Sequence, residues 1–287
     1  MVDASIHLVD RGRIHADRAY VVDGVSMASR ANPVPDHEVG EFVVWNAVIE
    51  HPEGTFLWDT GSHPAAGEGH WPPYLYEAFE HVDAADHRLA DDLSPLGFSI
   101  DDVDAVVVSH LHLDHAGGLA AFAGTDTPVY VHADELGYAY LSAKTDAGSV
   151  AYVADDFDRD LNWRVLYGDH RLAEGIELLH LPGHTPGMFG AHVELDVGSV
   201  VFTGDLCYDE VNWTREASLS AGLLSDSRAW HRSLRRVKDI AARTDADVLF
   251  AHDLERFESF GDGWNVGSAP LERGGDVGGR SRGRPEA

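Results

Sequence analysis

The sequence holds a dense cluster of side chains that can bind metal ions. His110, His112, Asp114 and His115 lie in VVVSHLHLDHAGG, directly after an apolar run typical of a buried strand. Residues two positions apart in an extended segment point to the same side, so His110 and His112 face one point. We expect the chain to turn into a helix at Asp114 and His115, which then approach from another direction. Four ligands are more than a single tetrahedral ion usually takes.

Three more potential ligands repeat this placement further along the chain. His184 lies in LLHLPGHTPG, Asp205 ends VVFTGD and His252 ends VLFAHD, each following an apolar strand-like run. Ligand sites in α/β folds gather at the carboxyl ends of strands. The single cysteine, Cys207, excludes an internal disulfide and a thiolate-rich zinc finger, so histidines and carboxylates would have to hold any metal ion.

The elements that would position these residues are short apolar strands and a few helices. The spacing of apolar residues predicts helices over residues 133–144 and 225–242, the latter capped by Ser225 or Asp226. Strands mixed with helices predict an α/β domain with helices outside its sheets. The predicted strands contain residues 42–45, 56–58, 103–108, 129–131, 176–181, 200–203 and 248–251.

We expect a single domain over residues 1–266. Residues 267–287 are rich in Gly, Arg, Pro and Ser and lack periodicity, which predicts a disordered C-terminal tail. Residues 63–79 are rich in aromatic side chains and too irregular for a strand. They are interpreted either as a loop covering a pocket or as a surface loop packed on the body.

The charge of the chain limits its partners. The sequence carries 49 acidic and 21 basic residues, a formal net charge of −28, and its only lysines are Lys144 and Lys238. Nucleic-acid binding needs clustered cations, so we expect no nucleic-acid partner. Such a surface repels itself unless salt screens it, which indicates a halophilic protein. The sequence contains no signal-peptide pattern and no membrane span, so we expect a cytoplasmic protein; it predicts no particular oligomeric state.

The metal-capable residues resemble a known family pattern. H-x-H-x-D-H at 110–115, followed by His184, Asp205 and His252, is similar to the metallo-β-lactamase superfamily. The resemblance covers about residues 20–262 and implies an αββα sandwich, with two mixed β-sheets packed face to face and helices outside. It also implies a dinuclear centre in which His110, His112 and His184 hold one ion, Asp114, His115 and His252 hold the other, and Asp205 bridges them.

Further motifs resemble one branch of this superfamily. Asp59, in WDTG, would support a ligand imidazole through a hydrogen bond. TGDLCYDEVNW, AHDLERFESF and SHLHLDHAGG are similar to the N-acyl homoserine lactone lactonases, the quorum-quenching hydrolases. In that family the tyrosine matching Tyr208 contacts the substrate carbonyl. Many relatives have a histidine where this chain has Met188, but that position is not a metal ligand.

The resemblance implies a hydrolytic mechanism with two divalent ions, for which Zn²⁺ is favoured. A hydroxide between the ions would attack the lactone carbonyl, Tyr208 would stabilise the charge on its oxygen, and Asp114 would deliver a proton to the leaving oxygen. The acyl chain of this small-molecule substrate needs an apolar trough. Its candidate lining residues are Met27, Trp71, Tyr74, Tyr76 and Phe79.

Some other functions found in this superfamily are disfavoured by the sequence, and others remain possible. The flavodiiron branch carries Glu where His112 stands, true β-lactamases carry Cys or Ser where Asp205 stands, and the RNA-processing branches need a polyanion site. A thioesterase of glyoxalase II type remains an alternative. So do a mononuclear iron persulfide dioxygenase and a binding module that senses a lactone without cleaving it.

Overall fold

Two β-sheets pack face to face in the computed structural model, which describes residues 2–196 and 198–260. The first sheet has seven strands in the order β4-β1-β2-β3-β5-β6-β7, and the second has five in the order β12-β11-β10-β9-β8. The strands are β1 Ser5–Asp17, β2 Val39–His51, β3 Gly54–Trp58, β4 Phe79–His81, β5 Ala105–Val107, β6 Pro128–His132, β7 Asn162–Leu166, β8 His170–Ala173, β9 Ile176–His180, β10 Phe189–Leu195, β11 Gly198–Phe202 and β12 Asp247–Leu249.

Alternating side chains explain why these strands pack as a sandwich. In β2, Val43, Trp45 and Ala47 point into the core between the sheets, while Val44 and Val48 face the opposite side. Both faces of this strand are buried, because helices and loops cover the outer face of the first sheet. The second sheet contributes alternate residues of β10 to the same central core.

The helices lie outside the sheets. The longest one packs Trp230, Leu234 and Val237 against the outer face of the second sheet, and its N-cap Asp226 accepts hydrogen bonds from two backbone N–H groups. The helices are α1 Arg18–Val21, α2 Pro73–Ala78, α3 Leu89–Leu93, α4 Ala133–Lys144, α5 Ala154–Phe157, α6 Glu210–Arg215, α7 Ser227–Thr244 and α8 Leu254–Ser259. The predicted α/β sandwich with two mixed sheets is thereby confirmed.

Two local predictions differ from the structure, and some strands were missed. Residues 63–79 are not one irregular loop, because they contain a short 3₁₀-helix and α2, which begins at Pro73 where a proline fits the first helical turn. After His115 the chain forms turns and the 3₁₀-helix Leu119–Phe122 instead of an α-helix. Five strands were not predicted at all: β1, β4, β7, β8 and β10. The predicted tail, residues 267–287, lies outside the described residues.

The strand ends that matter for function meet at one edge of the sandwich. The carboxyl ends of β5, β9, β11 and β12 lead into the segments that carry His110, His184, Asp205 and His252. Both sheets therefore contribute to one site. Among the residues that the structure describes, no helix combines the length and apolar character needed to cross a membrane.

Candidate metal centre

Three histidines from both sheets converge at this edge. The Nε2 atom of His184 lies 2.9 Å from Nδ1 of His112 and 3.2 Å from Nε2 of His110. All three rings are buried, with at most 6 % of any residue exposed. We call these residues the three-histidine group; three ring nitrogens that face each other at such distances can hold one metal ion.

A second set of ligand atoms lies beside the first. The Oδ2 atom of Asp114 is 3.7 Å from Nε2 of His115 and 3.7 Å from Nε2 of His252. We call Asp114, His115 and His252 the mixed group. Its ligand atoms also lie close enough together to hold one ion.

Asp205 stands between the two groups and offers one oxygen to each. Its Oδ2 atom lies 3.5 Å from Nε2 of His184, and its Oδ1 atom lies 3.2 Å from Nε2 of His115 and 3.4 Å from Nε2 of His252. Asp205 is fully buried. The carboxylate is therefore placed to bridge two ions.

Unpartnered polar atoms indicate that this set fits divalent ions. Both oxygens of Asp205 and the Nε2 atoms of His115 and His252 are buried without a hydrogen-bond partner among the described residues. A buried polar atom left without a partner costs about 1–3 kcal/mol, so such atoms seldom cluster without a ligand. Two cations would satisfy all four atoms at once. The donor set of imidazoles and carboxylates binds divalent metal ions.

Backbone carbonyl groups orient two of the ligand rings. Nδ1 of His184 lies 2.7 Å from the carbonyl oxygen of Leu223, and Nδ1 of His252 lies 2.8 Å from that of Val43. A carbonyl only accepts hydrogen bonds, so each Nδ1 carries the proton. In the neutral form of each ring, the Nε2 lone pair is therefore the one offered to a metal ion.

Asp59 does the same for His115. Nδ1 of His115 lies 2.9 Å from Oδ2 of Asp59, which also accepts a hydrogen bond from the Ser109 hydroxyl at 2.8 Å. The backbone N–H of Ser109 donates to Oδ1 at 2.6 Å. The Ser109 hydroxyl in turn lies 3.0 Å from Nδ1 of His110. Asp59 thus connects the two halves of the centre.

The electrostatics differ between the two groups. Burial lowers the pKa of every ring in the three-histidine group, so these imidazoles are neutral and keep a lone pair. Burial is the largest single influence on His115 and His252 and disfavours their charged forms, but the negative charges of Asp205 and Asp114 together outweigh it and raise the pKa of both. Burial would raise the pKa of Asp205, yet the neighbouring imidazoles hold it well below its usual value. This ionised carboxylate attracts cations into the centre.

An apolar cavity of about 320 Å³ opens onto the centre. His112, Asp114, Tyr208 and His252 border its inner end. The Tyr208 ring lies 4.5 Å from the His252 ring, centroid to centroid, and burial raises the pKa of Tyr208 well above its usual value. The phenol is therefore protonated at neutral pH and can donate a hydrogen bond. The walls include Ile14, Ala16, Tyr20, Val21, Phe42, Tyr74, Leu75, Ala78, Phe79 and Leu223.

The structure brings only two of the five predicted acyl-chain residues to this cavity, Tyr74 and Phe79. Trp71 is fully buried and packs within the core beneath it, and Tyr76 donates a hydrogen bond from its hydroxyl to the carbonyl of His81. Met27 is 74 % exposed and lies outside the lining. These three residues therefore do not line this cavity, because aromatic content alone does not tell which side of a segment faces it.

Sequence reasoning missed the cavity walls from β1 and α1, and it missed Glu135. The carboxylate of Glu135 is fully buried and accepts hydrogen bonds from Leu111, Tyr152 and Thr185. No local signal distinguishes it from an ordinary acidic residue in the first turn of a helix. Its partners become visible only in three dimensions.

A further set of potential ligands, His132, Asp134 and His180, lies outside the centre. The rings of His132 and His180 are stacked 3.9 Å apart at an angle of 14°. Ring lone pairs lie in the ring plane, so those of two stacked rings run parallel and do not converge on one ion. Nδ1 of His132 also accepts the hydrogen bond that caps α4. These residues stabilise the start of the helix.

Comparison with known proteins agrees with this architecture. Residues 39–252 match the family model of the metallo-beta-lactamase superfamily. N-acyl homoserine lactonase AiiB of Agrobacterium fabrum is 30 % identical over 265 residues, which cover 88 % of this chain and 95 % of that protein. N-acyl homoserine lactonase AiiA of Bacillus thuringiensis subsp. kurstaki is 30 % identical over 228 residues, covering 75 % and 83 %.

A solved structure is also similar. It is that of an N-acyl homoserine lactone hydrolase with the product N-hexanoyl-L-homoserine bound at its catalytic metal centre. It aligns with a TM-score of 0.77 and 25 % identity, covering 90 % of this chain and 97 % of that one. From the converging ligands, the paired sheets and these matches, it follows that the chain belongs to the metallo-beta-lactamase superfamily, in the branch of the N-acyl homoserine lactonases.

Proposed function

We propose that this protein is a quorum-quenching hydrolase that opens the lactone ring of N-acyl homoserine lactones with two Zn²⁺ ions. One observation carries the proposal: a buried set of seven ligands borders an apolar cavity that ends at a protonated tyrosine. A polar reaction centre next to an apolar cavity suits a substrate with a polar ring and an acyl chain. The matching relatives bear the same activity in their names.

The seven ligands would divide between two ions. The three-histidine group with Oδ2 of Asp205 would hold one, and the mixed group with Oδ1 of Asp205 would hold the other. Nitrogen and oxygen ligands without thiolates suit Zn²⁺. When bound, such ions polarise a carbonyl group and lower the pKa of water to about 7.

Tyr208 and Asp114 would act on the substrate. The Tyr208 hydroxyl borders the cavity beside His252 and would donate a hydrogen bond to the lactone carbonyl oxygen, stabilising the negative charge that develops there. Asp114 borders the same end of the cavity. As the oxygen of a water molecule bonds to the carbonyl carbon and the ring C–O bond breaks, Asp114 would take the proton that the water loses and pass it to the ring oxygen. The product is an N-acyl homoserine.

The cavity walls would hold the acyl chain. Ile14, Phe42, Tyr74 and Phe79 present apolar surface from three separate segments of the chain. Burying an acyl chain there contributes about 0.8 kcal/mol per methylene group, and aromatic walls supply contact area at a small entropic cost.

The test is lactone hydrolysis by protein of measured metal content. Chelated protein should lose activity against N-hexanoyl homoserine lactone and regain it with zinc, at two ions per chain, with the ring-opened product identified by mass spectrometry. Full activity after chelation, or hydrolysis of lactoylglutathione with the lactone untouched, would contradict the proposal. A single iron per chain would contradict it equally.

We also propose that the enzyme works in the cytoplasm at high salt concentration. The support is the net charge of −28 and the near absence of lysine. Hydrolysis measured between millimolar and molar KCl tests this setting, since the proposal requires activity to persist in molar salt.

A further inference from the structure

Glu135 is a fully buried acidic residue in the first turn of α4. Glutamate is almost never fully buried unless partners satisfy it. Its Oε1 atom accepts hydrogen bonds from the backbone N–H of Leu111 at 2.9 Å and the hydroxyl of Tyr152 at 2.8 Å. Its Oε2 atom accepts one from the hydroxyl of Thr185 at 2.5 Å. All three partners donate, so the site requires an acceptor on both oxygens.

These partners touch every member of the three-histidine group. Leu111 stands between His110 and His112 in the chain, and Thr185 directly follows His184. The Tyr152 ring packs edge-on against the His112 ring, with 4.5 Å between the ring centroids. One carboxylate therefore connects two chain segments that bring the three histidines together from different sheets.

Close packing at Gly187 supports the same connection. A Cβ atom at this position would lie 2.1 Å from the backbone nitrogen of Glu135, a distance that no side chain can occupy. The turn PGHTPG is thus seated directly on the first turn of α4. This contact fixes the distance between Glu135 and the segment that carries His184.

The mixed group has different supports. His115 is oriented by Asp59 and His252 by the carbonyl of Val43. Leu111 shares a segment with His115, but none of the described hydrogen bonds of Glu135 is made to a side chain of the mixed group. The side chains of the mixed group are therefore oriented by partners other than Glu135.

We propose that Glu135 is a positioning residue that sets the geometry of the three-histidine group, and with it the affinity of that half of the centre for its ion. The inference rests on the two-ion centre proposed above. Mutating a group that supports metal ligands in this way typically weakens metal binding by about 10–100-fold. We expect Glu135→Ala to weaken binding of one zinc ion by about that factor and to leave the other within about threefold.

The experiment is a competition titration of zinc against a chromophoric chelator, which gives both dissociation constants without any substrate. Glu135→Gln is the rescue variant, because its amide keeps a carbonyl for Leu111 and Tyr152 while the Thr185 hydroxyl turns to accept; it should restore most of the affinity. Asp156→Asn is the matched control, because Asp156 is equally buried but its side chain bonds His70. It should leave both constants unchanged.

Two variants that each lack one metal ligand show which half of the centre responds to Glu135→Ala. In His252→Ala, zinc remains in the three-histidine group, and Glu135→Ala should weaken its binding by the full factor. In His184→Ala, zinc remains in the mixed group, and Glu135→Ala should leave its dissociation constant unchanged. If Glu135→Ala does not fold, Thr185→Val removes one bond and should weaken one ion by about 10-fold. The inference would be overturned if Glu135→Ala raised both dissociation constants equally, or if it changed them no more than Asp156→Asn does. Wild-type protein that binds two zinc ions but opens no lactone would overturn only the proposed function.

Discussion

Replacing Asp59 by asparagine should weaken one half of the metal centre through a change of tautomer. All three hydrogen bonds at this carboxylate are donated to it, by His115 Nδ1, the Ser109 hydroxyl and the Ser109 backbone N–H. An asparagine amide must turn its NH₂ group toward one side. The backbone N–H cannot reorient, whereas the hydroxyl can, so the NH₂ group will face His115. The ring must then carry its proton on Nε2, the atom that faces Asp205.

The magnitude follows from the bond that is lost. A hydrogen bond to a charged group is worth about 1.5–3 kcal/mol, and about 1.36 kcal/mol corresponds to a factor of ten. We therefore expect Asp59→Asn to raise the dissociation constant of the ion in the mixed group by about 10–100-fold. Asp59 has a φ of 56°, a left-handed conformation that asparagine also tolerates, so the backbone adds no strain of its own.

The assay is the same zinc competition titration, with Ser109→Ala as the control. That variant removes one hydroxyl but leaves His115 its carboxylate, so it should keep the affinity of the mixed group within a few fold. Should Asp59→Asn bind both ions as tightly as the wild type, the tautomer argument would be refuted. Weakening of the ion in the three-histidine group alone would refute it as well.

Three further predictions concern the substrate, pH and salt. Tyr208→Phe should reduce lactone opening by about 100-fold at unchanged zinc content, as expected for the loss of one donor to the developing oxyanion; a loss below about threefold would exclude the hydroxyl from the reaction. Burial lowers the pKa of His81 from 6.5 to about 4, so the unfolded chain takes up a proton that the folded state resists, and stability should fall by about 3 kcal/mol from pH 6.5 to 4. In His81→Asn, the free energy of unfolding measured by chemical denaturation should fall by that much less over the same pH range. An equal fall in the wild type and the variant would contradict this prediction. The melting temperature should rise from millimolar to molar KCl, and a flat response would exclude salt adaptation by charge screening.

Local patterns predicted the parts of the fold that depend on short stretches of sequence. Helix α4 covers the predicted residues 133–144, and each predicted apolar run overlaps a strand, although β5, β9, β11 and β12 end before the predicted runs do. The ligand segments could be recognised because each follows such a strand. Strand β1 escaped prediction because Asp10, Arg11 and Arg13 interrupt its apolar pattern. The structure accommodates them with a bulge at Gly12, whose φ is 97°, and pairs buried Arg11 with Asp92.

Long-range contacts account for what the sequence could not predict. The partners of Glu135 lie 17 to 50 positions away in the chain, so no local spacing signals its role. The cavity lining is similar, because β1, α1, α2 and the segment around Leu223 meet only after the sheets have packed. Residue type identified aromatic candidates, and folding decided that Trp71 belongs to the core.

Ligand atoms from both sheets have a consequence for the lifetime of the folded protein. Each half of the centre joins a segment that follows β5 to one that follows a strand of the second sheet. A bound ion would cross-link the two sheets. It would add about 4 kcal/mol to the free energy of unfolding when the free metal concentration exceeds the dissociation constant 1,000-fold. Loss of the metal would then do more than stop turnover. It would also raise the fraction of unfolded protein and, with it, the rate of degradation.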